Sequence, residues 1–311
     1  MQVPVVSPSS VNEPFPTRFS IRDLEEFSGV KAHTIRIWEK RYNLLRPSRT
    51  DTNIRTYGQD ELKTILNVAY LNGRGYKISK IAAMSPQERS RLVNDLAAQR
   101  EDHADLLNGL KVAMLNFDEG LFEQISSRFR DEHGFRALAE RLFVPLLEQI
   151  GALWMAGSIC PSQEHFVSNL VRQRFIAETA RLPLAPADDA QRTYVLYLPE
   201  NEIHELGLLY MNYLVRSTGR RSVYLGQGVP QADLLELAGL VKGAVVFVSF
   251  ITAYPGPEEL PAFIQRLRED LPGERFQFWF AGGVVNRLNG TPLPAGVTCF
   301  RSIADMVSAL G

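Results

Sequence analysis

Residues 193–207 read "TYVLYLPENEIHELG". The first seven form an almost unbroken apolar and aromatic run, the pattern of a strand buried on both faces. A polar loop follows, carrying His204 among Glu200, Glu202 and Glu205, and it opens into "LLYMNYLVRSTG", whose apolar spacing predicts a helix. Strand, loop and helix in that order make a βα unit of a parallel sheet. An imidazole placed there can be a metal ligand, a general acid or base, or a plain helix-start residue. The rest of the chain has to decide between these roles.

Downstream, "RSVYLG", "AVVFVSF", "FQFWFAGG" and "VTCF" repeat the short strand pattern at helix-length intervals. Residues 193–311 are therefore expected to form a five-stranded, parallel, doubly wound (flavodoxin-like) domain. Such sheets bind ligands beyond the carboxyl ends of their strands, where the strand order reverses. If that order is 2-1-3-4-5, the loops after strands one, three and four meet at one edge. Those loops bring together His204, Ser249 and Gly282-Gly283. No glycine precedes Gly207 in the first turn, which disfavours a dinucleotide. No G-x-S-x-G elbow is present, and one histidine with scattered carboxylates is a poor zinc site.

Upstream, 86–182 reads as helical throughout and is expected to be a four-helix bundle, with 183–192 ("PLAPADDAQR") as a linker. Leu138, Leu142, Leu146, Ile150 and Leu153 recur at three- and four-residue steps, and Pro145 is expected to bend that helix without ending it. Residues 18–85 open with two short helical patterns joined through Gly29, and Lys31–Arg55 carries an excess of basic residues. That outline predicts a helix-turn-helix. Residues 1–17 are expected to be a disordered leader rich in Pro and Ser.

The 311 residues carry a net charge of -1, 45% hydrophobic and 22% charged residues, so nothing global points to a membrane or to nucleic acid. Two distant cysteines, Cys160 and Cys299, indicate neither a disulfide framework nor a thiolate metal site. No run reaches the roughly 20 apolar residues of a membrane span, and a cytoplasmic location is expected.

Glu202-Ile203-His204-Glu205-Leu206-Gly207 resembles the (D/E)-x-H-x-x-G motif of cobalamin-binding domains. Ser249-Phe250-Ile251 and Gly282-Gly283 stand where that family has S-x-L and G-G. The resemblance implies that His204 coordinates cobalt from below, with Glu202 on its second nitrogen. It also implies that Gly207, Ser249, Gly282 and Gly283 make room for, or bond to, the buried dimethylbenzimidazole tail. Trp154, Glu164 and His165 match the W-x9-E-H signature of cobalamin-dependent regulators in the CarH/LitR-like photoreceptor group, where they cover the upper axial group. Met155 stands where light-sensing members often carry a histidine that captures cobalt after photolysis, so a bis-histidine light state is not implied.

The first 80 residues resemble the MerR family, with its T-I-R-x-W-E and R-x-Y frame at Thr34–Glu39 and Arg55–Tyr57. DNA contacts are accordingly expected from Lys31, His33, Thr34 and Arg36 on the recognition helix, and from Arg46, Arg49, Arg55 and Tyr57 at the wing. Trp38 is expected in the core. Together the resemblances imply a multidomain α and α/β architecture and a non-enzymatic transcriptional repressor. It would bind double-stranded operator DNA as a homo-oligomer, dimer or tetramer, under control of cobalamin, in adenosylcobalamin form and responsive to light. A regulator sensing another tetrapyrrole, another ligand or a partner protein is the alternative, and a cobalamin-dependent methyltransferase or mutase module is a third.

Overall fold

Helix α1 (Ile21–Ser28) begins where its sequence says it should. Ser20 Oγ accepts from the Asp23 amide, Asp23 returns a bond to the Ser20 amide, and Gly29 ends the helix with φ +70°. Helix α2 (Ala32–Tyr42) follows after the turn. Leu24, Phe27, Ile35 and Trp38 are buried between these helices and α3 (Gln59–Gly73). A two-stranded antiparallel wing, β1 (Ser48–Arg49) and β2 (Arg55–Thr56), is fastened to the head by a bridge between Phe19 and Tyr57. These elements belong to a computed structural model that describes residues 18–50, 52–96, 103–155, 161–186, 192–288 and 292–310. The leader 1–17 lies outside the described residues, as do Cys160 and residues 187–191 of the 183–192 stretch.

The chain forms two compact units, 1–170 and 171–311, and their boundary falls inside one helix. In the first unit α4 (Ile78–Ala83) and α5 (Pro86–Leu96) continue the head. The side chains of Ser85 and Glu88 cap α5 reciprocally. Next come α6 (His103–Asn116), α7 (Glu119–His133), and α8 (Phe135–Leu138) running through a π-turn at Ala139–Phe143 into α9 (Val144–Met155). The π-turn explains how the apolar face survives Pro145. Proline has no amide hydrogen to give to the preceding turn, and the wider turn just before it reaches Val144 with its N–H on Ala139 O. Leu138, Leu142, Leu146 and Ile150 all stay buried. The side chain of Leu153 lies outside the described residues. Helix α10 (Pro161–Ala180) carries the unit boundary.

The second unit is a parallel sheet of β3 (Thr193–Pro199), β4 (Arg221–Val229), β5 (Val245–Phe250), β6 (Phe276–Ala281) and β7 (Val297–Cys299). Its order is β4-β3-β5-β6-β7, the 2-1-3-4-5 arrangement. Helices α11 (Leu206–Ser217), α12 (Gln231–Leu240), α13 (Leu260–Asp270) and α14 (Ile303–Leu310) alternate with the strands. Val195, Tyr197, Val245, Phe247, Phe278 and Phe280 form one apolar layer with Leu234, Leu260 and Ile264 of α12 and α13. The chain leaves β3 toward β4 on one side and returns to β5 on the other. The loops beyond β3 and β5 therefore part at this point and open a crevice.

Candidate functional site at the carboxyl edge of the sheet

The crevice is organised by one carboxylate. Glu202 is fully buried, and its Oε1 accepts from the amides of Ile203 (2.9 Å) and His204 (3.0 Å). Its Oε2 accepts from the amides of Thr252 (2.8 Å), Ala253 (2.7 Å) and Tyr254 (3.0 Å) in the loop after β5. His204 Nδ1 lies 2.6 Å from Oε1. Burial alone would raise the pKa of this carboxyl, but the imidazole and the converging amides outweigh it and hold the group well below its ordinary value. Glu202 is thus an anion that ties the two parting loops together and orients the imidazole. The His204 side chain itself is about half exposed, at 51%.

A second carboxylate braces the same loop from behind. Glu205 is buried, accepts from the Arg172 guanidinium of α10, and accepts from Tyr224 Oη of β4 at 2.9 Å. Burial, then the Glu205 charge and hydrogen bond, push the Tyr224 hydroxyl well above its ordinary pKa. Gln227 of β4 donates to Ile203 O at 2.8 Å. None of Arg172, Tyr224, Gln227 or the 252–254 amides was visible from the sequence, because each is brought in by strand order and not by local spacing.

Ser249, next to last in β5, is fully buried, and its Oγ has no hydrogen-bond partner among the described residues. Gly282 adopts φ +112°, and a Cβ there would stand 2.4 Å from Ile251 O. Only glycine fits that crossing of the β5 and β6 exits. A Cβ on Gly207 would meet Phe250 Cδ1 at 2.8 Å, whereas one on Gly283 meets nothing within 4 Å.

In the helical unit, the side chains of Trp154 and Met155 lie outside the described residues. Glu164 and His165 sit in the first turn of α10, with Glu164 Oε2 2.7 Å from His165 Nδ1 and Glu164 Oε1 accepting from Ser168 Oγ. His165 is exposed.

His33 and Arg36 are exposed on the outer face of α2, Thr34 is half-buried, and Lys31, just before the helix, is exposed and paired to Glu25 at 3.0 Å. Arg46 and Arg49 are exposed, and Arg49 donates to Asn53. Two wing residues are differently placed. Arg55 donates to Glu39 at 3.1 Å, and Tyr57, expected as a phosphate contact, is 1% exposed with its hydroxyl on Glu39 at 3.0 Å. Tyr57 is corrected to a core residue: its ring is needed to close the head between wing and α2, so its hydroxyl cannot also face DNA. Trp38 is buried. A cleft of about 280 Å³ lined by Arg74, Gly75, Tyr76, Lys77 and Lys80 adds basic surface that the sequence reading missed.

The chemistry of the sheet edge suits a corrinoid at its cobalt end. A carboxylate-buttressed imidazole is a good donor to a borderline metal, and a buried hydroxyl lacking a partner is an orphan that a ring nitrogen of such a cofactor would satisfy. Among the described residues no cluster of three or more His, Cys, Asp or Glu could hold a bare metal ion, and no helix is long and apolar enough to cross a membrane.

Known proteins resemble the chain over most of its length. Residues 19–88 match the MerR HTH family regulatory protein family, and residues 106–177 match a B12 binding domain. The chain is 30% identical to the HTH-type transcriptional repressor CarH of Myxococcus xanthus, over 86% of this chain and 89% of that protein. It is 28% identical to the repressor CarA of the same organism, over 79% and 80%. Its fold is similar to that of the Methanosarcina barkeri monomethylamine corrinoid protein, with a TM-score of 0.54, 15% identity, and coverage of 67% of this chain and 98% of that one.

Proposed function

Because this chain belongs to the family of MerR-type transcriptional regulators that carry a B12-binding domain, we propose that it binds operator DNA under the control of a cobalamin held at the sheet edge. The observation that carries the reading is His204: an accessible imidazole beyond β3, with Nδ1 held by a buried, fully engaged carboxylate. Glu202 fixes the ring and raises its basicity, so that Nε2 would be the atom to hold cobalt. Ser249 Oγ would be the group that bonds the tail, and Gly282 would keep the β6 exit close against Ile251 at that edge. By their W-x9-E-H signature, Trp154, Glu164 and His165 would be the residues of the helical unit that serve the bound cofactor. Bound in adenosyl form, the cofactor would supply a cobalt–carbon bond that light can break.

The DNA-reading side chains in this reading are Lys31, His33, Thr34 and Arg36 in the major groove, with Arg46, Arg49 and Arg55 on phosphates. Repression is supported by the names of the relatives. Control works as a population shift: the cofactor favours one arrangement of the helical unit, that arrangement sets the homo-oligomer, and the oligomer brings several DNA heads to one operator.

The test is reconstitution of the full chain with adenosylcobalamin in the dark, followed by spectra, light scattering and gel shifts before and after green light. Corrin absorption should co-elute with the protein, and His204→Ala should abolish or strongly alter it. The oligomer and DNA affinity should change together on illumination. A colourless protein that still binds its operator rejects the cofactor reading. A coloured one indifferent to light rejects photocontrol alone.

A further inference from the structure

One side chain on the outer face of α2 does not match its neighbours. At 3.6 residues per turn, His33, Arg36, Ile37, Lys40 and Arg41 fall on one arc of the helix, and all five are exposed. Ile35 and Trp38 occupy the opposite arc and are buried. Four of the five outward residues carry nitrogen donors suited to phosphates or base edges. The fifth, Ile37, is aliphatic and 53% exposed, and it lies about 40° around the helix from both His33 and Arg41. It therefore stands inside the basic patch and not at its margin. It is also the sixth residue of α2, within the first two turns, the part of a reading helix that reaches base edges. Being β-branched in a helix, it holds nearly one χ1 rotamer, so little side-chain freedom remains to be lost on docking.

We propose that Ile37 is a specificity residue of the DNA-reading head, and that it packs against the C5-methyl group of a thymine in the major groove. This deepens, and rests on, the reading of α2 as the helix that enters that groove. An aliphatic chain offers no bond to a phosphate, and pressing it onto a base nitrogen or oxygen would strip that atom of water without a replacement. The thymine methyl is the apolar group that the major-groove edge presents, and cytosine has none there. His33, Arg36, Lys40 and Arg41 can hold the helix against the backbone or read hydrogen-bonding edges, but they gain nothing from a methyl. Ile37 thus favours thymine over a base at that place that lacks the methyl. Burial of one such group corresponds to about fourfold in affinity.

In the experiment the full chain, with and without adenosylcobalamin in the dark, first selects duplexes from a random DNA library. Each thymine of the enriched site is then replaced singly by deoxyuridine, which deletes the methyl and keeps every hydrogen-bonding group. Affinities of wild type, Ile37→Ala and Ile37→Val are compared on these duplexes at fixed salt. At one thymine contacted by each head, uracil should weaken wild-type binding about fourfold. In Ile37→Ala that penalty should vanish at the same position and persist elsewhere, and Ile37→Val should retain part of it. The salt slope should stay that of wild type, because no cation is removed. Ile37 lies outside the buried core, so the alanine variant should keep the thermal transition of wild type, and the valine variant decides if it does not. Uracil penalties equal in wild type and Ile37→Ala, or none at any thymine, overturn the assignment and leave the DNA-reading head standing. Failure of wild type to enrich any sequence in either state overturns the DNA reading of α2 and the role of Ile37 with it.

Discussion

Replacing Glu202 should loosen the sheet edge more than any other single change there. Its carboxylate is fully buried and accepts five backbone amides, two from the loop after β3 and three from the loop after β5, besides facing His204 Nδ1. Hydrogen bonds to a charged acceptor contribute about 1.5–3 kcal/mol each, but they share one anion and do not add. Once the anion is gone the loops can part and find water, so Glu202→Ala is expected to cost ~3–5 kcal/mol, as for loss of one partner from a buried charged cluster. Glu202→Gln keeps one acceptor oxygen and turns an NH2 group against the other set of donors, so about half that loss is expected. Hydrogen exchange resolved by residue is the direct assay. The amides of Thr252, Ala253 and Tyr254 should be protected in wild type and exchange about a hundredfold faster or more in Glu202→Ala. The pH dependence has a definite sign. The folded-state pKa lies below the ordinary 4.5, so this stabilisation is complete above that pH and is lost as the pH falls further. Unchanged protection at 252–254, with stability within ~0.5 kcal/mol of wild type, would refute the view of Glu202 as the tie between the loops.

Other consequences are as concrete. Lys111 is buried in α6, donates to Phe27 O at 2.8 Å, and has its pKa pushed down by burial to about 8 from 10.5. The unfolded chain therefore binds the extra proton between those values, so this residue makes stability rise with pH from about 8 toward 10.5. The difference in urea midpoint between wild type and Lys111→Met should grow in that window, and a flat difference would contradict it. Gly282→Ala forces a Cβ into Ile251 O and is expected to destabilise the second unit by at least ~2 kcal/mol in thermal or urea unfolding. Tyr57→Phe removes the bond to Glu39 and should cost ~1 kcal/mol of head stability while leaving the salt dependence of DNA binding unchanged. Arg49→Ala should instead lower the salt slope by about one, with little effect on stability.

Much of this protein is written in local pattern. The runs at Thr193–Pro199, Val245–Phe250 and Phe276–Ala281 specify central strands because their residues leave almost no polar face to present to water, whereas the edge strands β4 and β7 are partly exposed. Ser20, Gly29 and Ser85 mark helix ends by chemistry that reaches only three or four residues along the chain. The E-x-H-x-x-G spacing likewise holds Glu202 and His204 within one loop, so their pairing needs no long-range information. Strand order decided the rest. Only the reversal between β3 and β5 brings amides 252–254 onto Glu202, and only the packing of α11 on β5 sets the Phe250 ring against Gly207. The burial of Tyr57 and the π-turn before Pro145 are of the same kind. A side chain's hydrogen-bonding capacity is fixed by its identity, but which distant group uses it depends on where the folded backbone delivers that group.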